Sequence, residues 1–483
     1  MLYTIYYVAC DRNLITILMI QKVNKKFVPP AIGGVNVMNK FINHFPIEER
    51  GSTVRTEIIA GATTFATMAY ILIIQPLYMS RDAGMNAAGV LIATALVSGV
   101  ISIIMGLVSN MPFALAPGMG SNVLFASAIV GAGIVPWQTA LGMVFISGSV
   151  FLILSIFGVR EAIVPLIPKN VKVGIGAGLG LFIIRTAMTN SKLLVPFSGL
   201  GDFSDPSVLL AGIGMIICIV LNYLRFTFKG KTYQLRGGLL LGIIITTIIG
   251  IFMGVTKMPG SIFTQGAFSS LGEVAFKVDI LGALNPKYFA FMLSFFMSDF
   301  FSTLGTSIAL ASKTGRTDKD GNFPEIGVVF IIDAIGTILG SLFGLSVVTT
   351  YVESASGVEV GGRTGLTSVT TGLLFLSSIL FAPLFLMIPN AATAPALVLI
   401  GVSMMQGLRN VEFEPISWAP VAILMVGSLY GGTAKGIAFG LVSYIIVNLA
   451  NYLFVPGDKK RKDSLPSVST IVLAVLCCLQ FFL

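Results

Sequence analysis

Three polar side chains sit where an apolar chain has least room for them. Asp299 lies within FAFMLSFFMSDFFSTLGTSIAL, Glu353 within VVTTYVESASGVEVGG, and Asn122 within MPFALAPGMGSNVLFA. A charge at the centre of a membrane helix costs roughly 2.5–3.5 kcal/mol on insertion scales, so acids at such depth are retained for a function or by a partner. A carboxylate there accepts hydrogen bonds from N–H groups, or loads and releases a proton. An amide donates and accepts, which suits a heterocycle carrying both kinds of group. Each has a plain structural alternative: for Asp299 a neutral acid bonded to a neighbouring helix, for Glu353 an N-cap at the start of SASG, for Asn122 an interhelical bond.

The elements that must position these residues follow from composition. Of 483 residues, 55% are hydrophobic and only 11% charged, against about 25% charged in ordinary soluble domains. The excess apolar surface must face lipid, and the apolar runs are continuous, of helix length, rather than alternating strands. The expectation is an all-α polytopic membrane protein with about fourteen spans. The windows are 57–79, 87–108, 111–132, 137–157, 171–189, 207–224, 236–254, 286–311, 326–345, 347–360, 364–387, 391–408, 415–430 and 433–455. Basic residues alternate accordingly, with Lys40, Arg50, Arg55, Arg160, Lys169, Lys172, Arg225, Lys229, Lys231, Arg236, Lys313, Arg316, Lys319 and the run 459–462 on one side. Arg81, Lys192 and Lys257 lie opposite. The positive-inside rule puts both termini in the cytoplasm of a plasma membrane (the inner membrane in a Gram-negative cell).

Residues 1–54 then form a cytoplasmic lead-in, 55–254 a first seven-span repeat, 255–285 an extracellular connection, 286–455 a second repeat, and 456–483 a tail. Residues 1–37 read poorly as part of the fold, and Met38 is a candidate start. The run 467–483 is marginal in length for a span and is left unassigned.

Spans three and ten are abnormal. Pro117, Gly118 and Gly120 interrupt the third, while the tenth is too polar and β-branched to face lipid. The two breaks are separated by roughly 225 to 240 residues, and their flanking spans echo each other. An odd number of spans per repeat inverts the second copy. Paired broken helices in inverted repeats point to a solute site at mid-membrane, because opened backbone groups are tolerated only inside protein or beside a polar cavity.

Other polar residues read more weakly. Asp333 is as easily structural as gating, Glu359 can pair with Arg363, and Arg185 can snorkel outward. The net charge of +9 reports topology rather than a nucleic-acid surface. The single histidine, His44, and four scattered cysteines suggest no metal centre, cofactor or disulfide framework, which leaves little for an enzyme to use.

Several stretches resemble the AzgA-like purine permeases of the nucleobase–cation symporter group: RTEIIAGATTFATMAYILIIQP (55–76), ALAPGMGSNVLFA (114–126), SDFFSTLGT (298–306), DAIGTILGSLFG (333–344), TTYVESASGVEVGGRTGLTSVTTGLLF (349–375) and APALVLIGVSMM (394–405). The resemblance implies seven-plus-seven inverted repeats, with a core of spans one to four and eight to eleven and a gate of the rest. Spans three and ten would each pair a short strand with a half-helix. It further implies proton-coupled uptake of guanine, hypoxanthine or adenine, with sodium the weaker alternative, and binding by Asn122, Asp299 and Glu353. Two departures stand out: Ser302 where the family usually has a second Asp, and Gln75-Pro76 where it has Asn-Pro.

On this reading Glu353 accepts from purine N–H groups, guanine's adjacent N1–H and amino group meeting both its oxygens, and Asn122 reads another edge. Asp299 is the expected proton-coupling group, with Glu353 beside it. Gly118, Ser302 and Ser354 complete the site, and Phe125 or Tyr351 could stack on the base. A homodimer is left open. The nearest rival is a carrier of this architecture for uracil, xanthine or an anion such as sulfate, the last expected to hold a fixed cation at the second break. A channel is the more distant rival.

Overall fold

The computed structural model describes residues 44–157, 169–195, 199–228, 231–234, 238–264, 266–316, 323–411, 414–431, 433–454, 465–478 and 481. The expectations for residues 1–37, for Lys40, Arg160, Lys229, Arg236 and Lys319, and for the basic run 459–462 lie outside them. Met1–Phe45 and Pro46–Leu483 are separate units, and the second holds all the spans.

Fourteen spans follow in the expected order. In the first half they are Val54–Arg81, Ala87–Ser109, the broken third, Trp137–Ile156, Lys169–Asn190, Pro206–Tyr223 and Gly238–Phe252. In the second they are Phe289–Lys313, Ile326–Leu342, the broken tenth, Gly365–Leu386, Asn390–Met404, Pro415–Gly431 and Thr433–Phe454. Seven of the described helices are long and apolar enough to cross a membrane. The others are shorter, broken or incompletely described. The unassigned C-terminal run forms a helix, Val468–Cys478, packed on span 14.

Each break is a three-residue strand followed by a half-helix: β1 (Leu115–Pro117) before Met119–Val130, and β2 (Val348–Thr350) before Ser354–Val360. Local chemistry explains both. Pro117 cannot donate to a helix ladder, and Val347, Val348, Thr349 and Thr350 are β-branched and favour extended backbone. The strands pair antiparallel with each other, Leu115 opposite Thr350 and Pro117 opposite Val348.

A two-stranded sheet in a membrane has two open edges whose backbone groups must find partners. Side chains of spans 2 and 9 supply them. Ser102 Oγ accepts from Leu115 N–H at 3.0 Å and donates to its carbonyl at 3.2 Å. Thr337 Oγ1 does the same for Val348, at 3.2 and 2.9 Å. Positions 102/337 and 115/348 stand at the repeat offset read from the sequence, so the inverted symmetry extends to single hydrogen bonds. Where it fails, chemistry supplies the reason. Asp333 Oδ1, one turn before Thr337, accepts from Thr350 N–H at 3.0 Å and from Thr303 at 2.8 Å. Thr350 is the third residue of β2. The third residue of β1 is Pro117, which has no N–H, and the matching position in span 2 is Ser98 rather than an acid. Asp333 is therefore an anchor for β2.

Packing divides the spans as the resemblance implies. Spans 1–4 pack with 8–11, while 5, 6 and 7 pack with 12, 13 and 14. Spans 2 and 11 approach so closely that a Cβ on Gly365 would meet the Gly106 carbonyl at 1.8 Å. Span 11 is also held by Glu57, which is wholly buried. Its carboxylate accepts from the N–H groups of Arg363 (2.9 Å) and Thr364 (3.2 Å) and from the Thr367 hydroxyl (2.5 Å), capping a helix start that would otherwise leave donors open. Between the repeats, Asp279 caps the short helix Ile280–Ala283 and accepts from Thr139 of span 4 at 2.9 Å.

Candidate functional site

The two breaks meet at a cavity of about 290 Å³, near the lower end of the usual range for small-molecule sites. The first break contributes Gly118 through Ser121, the second Thr349 through Glu353. Span 8 presents Asp299, Ser302 and Thr306, spaced along one helix face, together with Ser298. Tyr70 enters from span 1, and Gly176, Ile400, Ser403 and Met404 close the gate side. No lysine or arginine is among these lining residues.

Glu353 precedes the second half-helix but is not its side-chain cap. Its Oε1 instead accepts the Tyr70 hydroxyl at 2.6 Å. The N-cap alternative is overturned because the backbone at 353 is helical, with φ −60° and ψ −19°, whereas a capping side chain works from an extended residue. Asp299, 2% exposed, accepts from Thr337 at 3.0 Å through Oδ2. Thr337 is the residue that satisfies β2, so Asp299 is one hydroxyl away from the strand. Tyr351 lines the cavity with its ring 6.5 Å from that of Tyr70, and its hydroxyl donates to the Pro117 carbonyl.

Five of the eight residues expected at the site therefore share one cavity: Gly118, Asp299, Ser302, Tyr351 and Glu353. The other three are adjacent but outside its lining. Asn122 is fully buried and accepts from Ser346, with no hydrogen-bond partner on its amide nitrogen among the described residues. Phe125 packs against Phe295, ring centroids 6.5 Å apart. Ser354 accepts from Ala114 N–H at 3.0 Å, joining the second break to the first. One further pairing differs from expectation. Glu359 pairs with Lys313 at 2.7 Å, because Arg363 is turned onto the carbonyls of Val358 and Gly362 at the half-helix end. Arg185 donates to the Leu429 carbonyl and lies 5.6 Å over the Tyr430 ring.

Sequence reasoning missed Tyr70, Thr337 and Glu57. Tyr70 had a signal, a hydroxyl-bearing aromatic six residues before Pro76 in an otherwise apolar run. Its place is the irregular turn at Ala69–Tyr70, where the helices Val54–Met68 and Ile71–Arg81 join. Glu57 was visible as an acid but stood at a window edge.

The chain is 36% identical to the adenine permease AdeP of Escherichia coli over 444 residues, covering 90% of this chain and 94% of that one. It is 34% identical to the guanine/hypoxanthine permease PbuG of Bacillus subtilis over 418 residues, covering 83% and 92%. Among solved structures, SLC26A9 matches with a TM-score of 0.62 at 12% identity, over 86% of this chain and 68% of that one, which is a likeness of fold. The Permease family profile that takes in xanthine and uracil permeases matches residues 55–479. With inverted broken spans meeting at one polar cavity, the chain belongs to that family and is a multi-pass membrane transport protein.

Proposed function

We propose that the protein is a secondary transporter that carries purine bases (guanine, hypoxanthine or adenine) into the cell together with protons. The observation that carries this reading is the convergence of Glu353 and Asp299 on one cavity between the two breaks. Relatives named as adenine and as guanine/hypoxanthine permeases support the substrate class.

The two acids divide the work. Glu353 accepts N–H groups of the base, and charged acceptors make the stronger bonds. Tyr351 offers a ring beside it. Asp299 takes up a proton on one side and releases it on the other, and Thr337 transmits that change to β2. One charge moved through 100 mV is worth about 2.3 kcal/mol, enough for roughly 50-fold accumulation. The cavity reaches Thr306 and Met404, near the ends of spans 8 and 12 that the basic residues assign to the cytoplasm. At the opposite ends Arg81 donates to the Asn190 carbonyl at 3.2 Å. On this orientation the protein faces inward.

The anion-carrier reading lacks support for its expected fixed cation, since the second break carries an acid and no basic side chain lines the cavity among the described residues. Uptake of labelled hypoxanthine into proteoliposomes under an imposed pH gradient tests the proposal. Wild type should accumulate the base and lose accumulation when the gradient is collapsed. Uptake indifferent to the gradient would remove the proton, and no uptake of any purine would remove the substrate.

A further inference from the structure

The bond between Tyr70 and Glu353 constrains which face of a base the acid can receive. A planar edge offering two adjacent donors, such as the N1–H and amino group of guanine, uses both oxygens of a carboxylate at once. Here Oε1 already accepts a phenol at 2.6 Å. That phenol is held in place. Tyr70 is 1% exposed, sits at the joint between the two helices of span 1, and faces Tyr351, whose own hydroxyl is committed to Pro117. Among the described residues, Tyr70 is the one side chain from another element that donates to the Glu353 carboxylate, Thr67 donating instead to the backbone carbonyl of Glu353 at 3.4 Å. A two-donor edge must therefore share or displace the phenol, whereas a one-donor edge needs only Oε2.

We propose that Tyr70 is a positioning residue that sets specificity: by holding Glu353 Oε1 it disfavours bases presenting paired donors and favours those presenting a single N–H, hypoxanthine over guanine. This rests on the purine reading above. The Tyr70 hydroxyl is bonded to the acid, so the effect falls on the ratio between substrates rather than on uptake of all of them.

The experiment is competition by unlabelled guanine and hypoxanthine against labelled hypoxanthine uptake, in wild type and in Tyr70→Phe, with surface abundance measured in parallel. Wild type should bind hypoxanthine more tightly than guanine by about three- to tenfold, the value of one hydrogen bond. Tyr70→Phe should bring the two within about twofold, chiefly by tightening guanine. An unchanged ratio in Tyr70→Phe, with both bases weakened alike, would overturn the inference and leave Tyr70 a structural residue. So would a wild type that prefers guanine. If Tyr70→Phe fails to reach the membrane, 3,5-difluorotyrosine placed at position 70 keeps ring and donor while strengthening the donor. The ratio should then widen, and a ratio that stayed fixed or narrowed would count against the proposal. Failure of the wild type to take up any purine would instead sink the substrate reading, and this inference with it.

Discussion

The Thr337 hydroxyl lies 3.0 Å from Asp299 Oδ2 and 2.9 Å from the Val348 carbonyl, and it has one proton to give. Both bonds run through that hydroxyl, so the state of Asp299 and the bonding of β2 are linked through one atom. Thr337→Val removes the hydroxyl at nearly constant volume. Initial uptake should fall about tenfold or more, the loss of at least one buried bond, while Thr337→Ser retains most of it. Rates normalised to surface abundance check this, and equal loss in both variants would point to packing instead.

Asp299→Asn keeps the shape of the acid without its titration. Exchange of labelled for unlabelled base across the membrane should persist, while accumulation against a gradient disappears. Accumulation that survived the substitution would move the coupling role elsewhere.

Glu353→Gln replaces an acceptor pair by one acceptor and one donor. The donor faces the N–H of the base, so affinity should fall by about one to two orders of magnitude. Binding measured by scintillation proximity on purified protein reads the loss directly, without dependence on turnover.

Glu57 and Gly365 should matter for folding rather than for transport as such. Glu57→Ala takes the carboxylate acceptor from the N–H groups of Arg363 and Thr364 and leaves the Thr367 hydroxyl the backbone carbonyl of residue 57 at 3.4 Å, a cost of about 2 kcal/mol or more. Gly365→Ala drives a methyl into the Gly106 carbonyl, while Gly272→Ala meets nothing within 4 Å and serves as the control. Thermal unfolding in detergent should show large losses for the first two and none for the third.

Asp279 gives a pH signature outside the membrane. The Gly282 N–H, and after it the Thr139 hydroxyl, hold its carboxyl below the usual carboxylate range. A lowered value means that the stabilisation is present above the ordinary carboxylate range and is lost as pH falls through the folded value. The melting-temperature gap between wild type and Asp279→Asn should therefore be open at neutral pH and close in acid. A gap that widened in acid would contradict the assignment.

Much of this was legible in the chain itself. Long apolar runs, the Pro117-Gly118 interruption and the β-branched stretch before Glu353 mark the spans and both breaks, because each rests on local chemistry. The acids Asp299 and Glu353 stood out since charge is costly in lipid. What could not be read was which polar groups meet. Asn122 and Ser354 are as conspicuous as Asp299, yet they brace the breaks from behind, and the hydroxyl of Tyr70 in its apolar run does not by itself say that it faces the cavity. Partners separated by some 280 residues, as Tyr70 and Glu353 are, leave no trace in local pattern.

The pairing of β1 with β2 also bears on how the chain is made. Leu115–Pro117 leaves the ribosome more than two hundred residues before its partner strand exists. Until then Ser102 can serve one edge only, and the other edge cannot rest in lipid. The first break must therefore wait in water or in the insertion machinery, and its entry into the bilayer becomes a late event, timed by synthesis of the tenth span.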